Sequence, residues 1–119
     1  MVEDDRKFAA VLQRHLHATG IRTRLAGSGD SALRAVRDLD VAALVLDIMI
    51  PHPDGIEVCR QLRRDHWRGL IVAMSARTGP IHEAAISDAG ADVFLAKPFP
   101  LDELTSVLIA GPCTEPGES

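Results

Sequence analysis

The chain predicts a doubly wound α/β fold with a central parallel sheet. Three observations predict it. Amphipathic stretches with apolar residues three or four apart alternate with short apolar runs. Three of those runs, VAALVLD, LIVAMS and VFLAK, are nearly unbroken, as parallel strands covered on both faces are. The length, 119 residues, fits one domain, and a hydrophobic fraction of 46% supplies an ordinary core.

Each element has its own signal. Only Met1-Val2 precedes the acids Glu3, Asp4 and Asp5, so the first strand reads as truncated. Asp5 reads as the start of a helix whose apolar stripe is Phe8, Leu12 and Leu16. IRTRL places Ile21, Thr23 and Leu25 on one face and Arg22 and Arg24 on the other, as a strand near a sheet edge would. After GSG a second helix carries Leu33, Val36 and Leu39, with Asp30 or Ser31 as its cap. Pro51, Pro53 and Asp54-Gly55 take the chain out of the sheet after VLDIMI. Asp54 then caps a third helix bearing Ile56, Cys59 and Leu62. PIHEAAISDAG makes a fourth, closed by Gly90. PLDELTSVLIA makes a fifth, with Pro100, Asp102 and Glu103 at its start. One domain is expected over residues 1–110, and the aperiodic GPCTEPGES of 111–119 reads as a flexible tail or linker.

Bulk properties exclude several classes. A net charge of −4 argues against a whole-domain nucleic-acid footprint. Arg34, Arg37, Arg60, Arg63, Arg64 and Arg68 are scattered and read as solvated helix faces. Cys59 and Cys113 lack metal-ligand spacing, and Cys59 reads as a small core residue. No apolar run approaches the roughly 20 residues of a membrane span. The acidic start does not resemble a secretory signal. A cytoplasmic protein with reduced thiols is expected. His15 and His17, two apart on the first helix, read as solvated, and His52 as a loop residue beside Asp47. Trp67 is expected to pack under the loop before the fourth strand-like segment.

Ligands of open parallel sheets bind at the carboxyl ends of the strands. Those ends carry Glu3, Asp4 and Asp5, then Asp47, Ser75 and Lys97. Clustered carboxylates stay ionised when a cation sits among them, and a few hard oxygen ligands suit Mg²⁺. A lysine and a hydroxyl beside the metal can hold phosphoryl oxygens, and a free carboxylate can be the nucleophile. Asp47 therefore reads as a phosphoryl acceptor.

The motifs VEDD, LDIMIPHPDG, MSAR and GADVFLAKPF, in that order, make the chain resemble the receiver domain of two-component response regulators from Val2 to about Ala110. The resemblance implies the flavodoxin-like (βα)5 arrangement. It implies Glu3 and Asp4 as the acidic pair, Asp4 the more direct Mg²⁺ ligand, with Asp47 and the Met49 carbonyl completing the metal set. It implies Asp47 as the phosphorylated residue, Ser75 as the switch hydroxyl, Lys97 as the lysine joined to Pro98 by a cis peptide bond, and Phe94 as the mobile aromatic. A phosphohistidine on a sensor kinase or phosphotransfer protein would donate to Asp47. Ser75 would then move inward, Phe94 would follow, and the face of the fourth helix, fifth strand and fifth helix would change shape toward a downstream protein or effector domain.

Receivers carry several apolar residues ahead of the acidic pair, whereas two stand here. Either the start is mis-assigned or clipped, or the domain is unusually weak or dimerises to compensate, with a metal site that would be loose. The tail is too short for a helix-turn-helix domain, so direct nucleic-acid binding is not expected, nor is membrane association. The chain is expected to catalyse only its own phosphorylation and dephosphorylation. A phosphorylation-independent binding module is the alternative. A small-ligand enzyme is disfavoured because GSGDS lacks dinucleotide-binding spacing.

Overall fold

The structure, a computed structural model, describes residues 1–2, 5–21, 23, 26–38, 41–50 and 53–110. Its elements are α1 (Arg6–Ala18), α2 (Gly29–Asp38), β1 (Ala43–Asp47), α3 (Gly55–Arg64), β2 (Leu70–Ser75), α4 (Pro80–Ala89), β3 (Val93–Ala96) and α5 (Leu101–Ala110). The three strands form a parallel sheet in the order β1-β2-β3, with Asp47 opposite Met74 and Ser75 opposite Ala96. The three unbroken apolar runs supply these strands, and their faces bury two separate clusters. One holds Leu44, Leu46, Ile71 and Ala73 with residues of α2, α3 and α4. The other holds Val45, Val72, Met74 and Leu95 with Leu12 and Leu16 of α1 and Leu104 of α5.

The first strand-like segment is as short as the sequence implies, but it is held on both sides. Val2 bridges in parallel to both Leu46 and Ala26. Its N–H donates to the Val45 carbonyl at 2.7 Å, its carbonyl accepts from Asp47 N–H at 2.9 Å, and its side chain is fully buried. Ala26 N–H donates to the Met1 carbonyl at 2.8 Å. The order across the sheet thus runs from Ala26 through Val2 to β1, β2 and β3. With those two positions counted, β3 is the fifth strand-like segment of the sequence. Arg22, Arg24, Leu25, Leu39, Glu3, Asp4, His52, Cys113 and residues 111–119 lie outside the described residues.

Caps refine the sequence reading. Asp5 accepts from Lys7 N–H and Phe8 N–H and starts α1. Asp54 and Glu57 form a reciprocal capping box on α3. For α2 the cap is Ser28, not Asp30 or Ser31: Ser28 Oγ accepts from Ser31 N–H at 3.2 Å, and Asp30 and Ser31 lie inside the first turn. Gly90 ends α4 at φ 117°, a conformation that disfavours any side chain. Cys59 is fully buried, and desolvation pushes its thiol up to about 11.

Two basic residues depart from the expected solvated faces. Arg34, Arg37, Arg60, Arg64 and Arg68 are exposed. Arg63 instead turns inward. Its guanidinium donates to the carbonyls of Gly90, Trp67 and Gly69 and to the Asp92 carboxylate, and it lies 5.7 Å from the Trp67 ring centroid. Trp67 packs against the core beside Gly69, where an added Cβ would come within 2.1 Å of the indole. His17 is exposed, but His15 Nε2 is buried, without a hydrogen-bond partner and 3.5 Å from Asp102 of α5. The packing of α1 on α5 takes this nitrogen out of water.

Candidate functional site

The carboxyl ends of β1, β2 and β3 come level at one rim. Ile48 N–H donates to the Met74 carbonyl at 2.9 Å, and Lys97 N–H donates to the Ser75 carbonyl at 2.8 Å. The parallel register therefore continues one residue past each strand end, and it delivers Asp47, Ser75 and Lys97 to the same edge. Asp47 is 5% exposed. Its Oδ1 accepts from Met49 N–H at 3.0 Å, the local turn that aspartate favours at the end of a strand. Its Oδ2 accepts from the Lys97 ammonium at 3.2 Å. A buried carboxylate needs such partners, because desolvation disfavours its charge.

The loop after β1 is folded tightly against the strand. Gly55 N–H donates to the Ile48 carbonyl at 3.1 Å, and a Cβ on Gly55 would stand 2.5 Å from Ile48 Cα. Gly55 is thus required by close approach, which keeps the Ile48-Met49 turn seated over the carboxylate. Met49 itself is exposed.

Lys97 enters the site from the end of β3, and its peptide bond to Pro98 is cis, as the resemblance implies. Its ammonium lies 4.6 Å from the centroid of the Phe8 ring, so Phe8 of α1 and Asp47 both bear on it. Phe8 packs edge-on against Phe99, with centroids 6.1 Å apart. Its place in an apolar helical stripe had marked it as core alone, and nothing local in the sequence reveals the lysine above it.

Ser75 is fully buried. Its Oγ accepts from Arg77 N–H at 3.0 Å and lies 3.1 Å from His82 Nε2 on the first turn of α4. The His82 ring in turn meets Phe94 edge-on, with centroids 6.4 Å apart and an interplanar angle of 85°. Phe94 is half-buried, packs against the core, and lines a groove with Glu83, Ile86, Ser87 and Val93 between α4 and β3. His82 was not singled out by the sequence. The available signal was its position four residues before the buried Ile86, which puts both on the inward stripe of α4.

Asp47, Met49, Ser75, Lys97 and Phe94 thus form one connected arrangement. Glu3 and Asp4, the other expected metal ligands, lie outside the described residues. Among the described residues no group of three or more His, Cys, Asp or Glu side chains could hold a metal ion. The Asp47 carboxylate and the backbone carbonyls of the turn beside it are hard oxygen donors, which fits a cation such as Mg²⁺ rather than a thiophilic metal.

Comparisons with known proteins agree with this architecture. The sequence model of the response regulator receiver domain matches residues 1–109. The chain belongs to the response regulator receiver domain family. It is 45% identical over 103 residues to the response regulator MprA of Mycobacterium leprae, covering 87% of this chain and 45% of that protein. The chain therefore spans about half the length of the curated relatives it matches. Among solved structures it resembles the receiver domain of the Francisella response regulator 1452, with a TM-score of 0.83 and 30% identity over 87% of this chain and 85% of that one. It also resembles the receiver domain of the sensor histidine kinase PA1611 of Pseudomonas aeruginosa, solved with a magnesium ion coordinated in its active-site cleft. That match has a TM-score of 0.84 and 28% identity over 93% of each chain. The domain is a signalling receiver of the two-component type. No helix among the described residues is long and apolar enough to cross a membrane.

Proposed function

We propose that this receiver domain takes a phosphoryl group onto Asp47 from a phosphohistidine of a sensor kinase or phosphotransfer protein. The observation that carries the reading is the buried Asp47 carboxylate held 3.2 Å from the Lys97 ammonium at the rim of a parallel sheet. A carboxylate oxygen of Asp47 attacks phosphorus, the P–N bond breaks, and the freed imidazole leaves with its electron pair. Lys97 stands beside the new acyl phosphate and can donate to its oxygens, and Ser75 supplies a hydroxyl from the next strand. Water attack at phosphorus later returns the carboxylate and inorganic phosphate. The chain thus acts catalytically only on its own phosphorylation state.

Asp47, the Met49 carbonyl, Glu3 and Asp4 would hold Mg²⁺. When bound, the ion would offset the negative charge that gathers between the carboxylates and the phosphoryl group. Its affinity depends on Glu3 and Asp4, which the sequence places directly after the anchored Val2.

The readout face is α4, β3 and α5. It carries Phe94 and the exposed Ile81 and Ile109, apolar groups suited to a downstream protein, an effector domain or a second copy of the chain. The domain covers residues 1–110 and works in the cytoplasm, and 111–119 serves as a linker or tail.

Intact mass after incubation with Mg²⁺ and acetyl phosphate tests the reading. One added phosphoryl group is expected in the wild type and none in Asp47→Asn. No gain in a wild-type protein shown to be folded by circular dichroism would reject it and favour a binding module that works without phosphate.

A further inference from the structure

The Ser75 hydroxyl is already occupied. It has one proton and two lone pairs. Arg77 N–H takes one lone pair at 3.0 Å, and His82 Nε2, at 3.1 Å, takes the proton or the second lone pair according to its tautomer. Ser75 is fully buried and His82 half-buried, so this contact is shielded from competing water. His82 sits on α4, whereas Asp47 is carried by β1, the strand beside β2. When Nε2 accepts, the single hydroxyl proton serves His82 or a phosphoryl oxygen on Asp47, not both. In that tautomer the two partners are alternatives.

We propose that His82 is a positioning residue that holds Ser75 turned away from Asp47, and that a phosphoryl group on Asp47 displaces it. The inference rests on Asp47 being the acceptor. Displacement frees the His82 ring, which lies edge-on to Phe94, so the loss of one hydrogen bond is felt both at the start of α4 and at the aromatic of β3. His82 thereby joins the acceptor rim to the α4–β3 groove through two contacts.

Two measurements decide it. In the unphosphorylated protein, an imidazole ¹⁵N–¹H correlation spectrum should show the His82 Nε2 signal moving in Ser75→Ala. The rate of phosphoryl gain from acetyl phosphate, read by intact mass, should rise roughly 2- to 10-fold in His82→Ala, the factor a neutral hydrogen bond represents. His82→Leu, which keeps apolar bulk on α4, should behave alike. The gain should vanish when either change is made in a Ser75→Ala background. A purely structural effect on α4 would give the same factor in both backgrounds, and that result overturns the proposal, as does an unmoved Nε2 signal. If the wild type gains no phosphoryl group, the Asp47 reading fails and displacement with it, while the ring signal still decides whether His82 holds Ser75.

Discussion

Lys97 with Asp47 at the carboxyl end of the sheet, and Arg63 with Asp92 at its amino end, are both contacts between a basic side chain and an aspartate, at 3.2 and 2.9 Å. They differ in what surrounds them. Arg63 spends its planar fork on three backbone carbonyls and a carboxylate, and Asp92 accepts Ile71 N–H at 2.8 Å as well. Its donors are matched to acceptors in the loop between α3 and β2 and in the turn between α4 and β3, so any movement breaks several bonds together. Lys97 offers a compact charge with rotatable donors to Asp47, under the face of Phe8. An ammonium can swing from a carboxylate to a phosphoryl oxygen without unmaking a strand. The amino end is built to stay closed, and the carboxyl end keeps a cation that can be re-aimed.

Exchanging each cation for methionine tests that difference. Lys97→Met should slow phosphoryl gain by about a hundredfold, the scale of losing one preorganised donor to developing charge, while the urea midpoint falls less than in Arg63→Met. The buried carboxylate loses one partner but keeps its Met49 N–H bond, whereas Arg63 serves four acceptors. Arg63→Met should do the reverse. Stability should fall by about 2–3 kcal/mol, because carbonyls near the chain turns lose charged donors, while phosphoryl gain by the folded protein stays within about twofold. Arg63→Lys should still cost about 1–2 kcal/mol, since an ammonium cannot span the same acceptors. Equal kinetic losses in Lys97→Met and Arg63→Met would erase the distinction.

The two ends were unequally legible in the sequence. At the carboxyl end, Asp47, Ser75 and Lys97 each follow an apolar run directly, and a parallel sheet brings such positions together whatever the details of packing. Their juxtaposition could therefore be read from strand ends. At the amino end, Arg63 lies at the close of α3, where a basic residue also suits the helix dipole, and the solvated reading was natural. Its spacing of four from the buried Cys59 was the clue that it leans inward. Val2 escapes notice in the sequence for a different reason. A single residue carries no periodicity, yet it holds its place through bonds supplied by Val45 and Asp47 on one side, while Met1 bonds Ala26 on the other. His82 and Phe8 depend on which helix packs over which strand end, information that exists only once the layers are assembled.

Phe8 gives the finest test of the carboxyl end, because its two contacts can be separated. The ring faces the Lys97 ammonium at 4.6 Å and Phe99 at 6.1 Å. Phe8→Leu keeps apolar bulk in the α1 stripe but removes the π face, and Phe99→Leu removes only the ring pair. A half-shielded cation–π contact represents about 1 kcal/mol. If that contact aims Lys97, Phe8→Leu should slow phosphoryl gain roughly two- to fivefold, and Phe99→Leu should leave the rate within about twofold while costing similar stability. The Lys97→Met background supplies the control, since Phe8→Leu should have no further kinetic effect there. Equal slowing by both leucine variants would mean that Phe8 acts through general packing of α1. Slowing by Phe8→Leu alone would mean that the cation at the carboxyl end is held by an aromatic face on one side and a carboxylate on the other, and so keeps the freedom that Arg63 lacks.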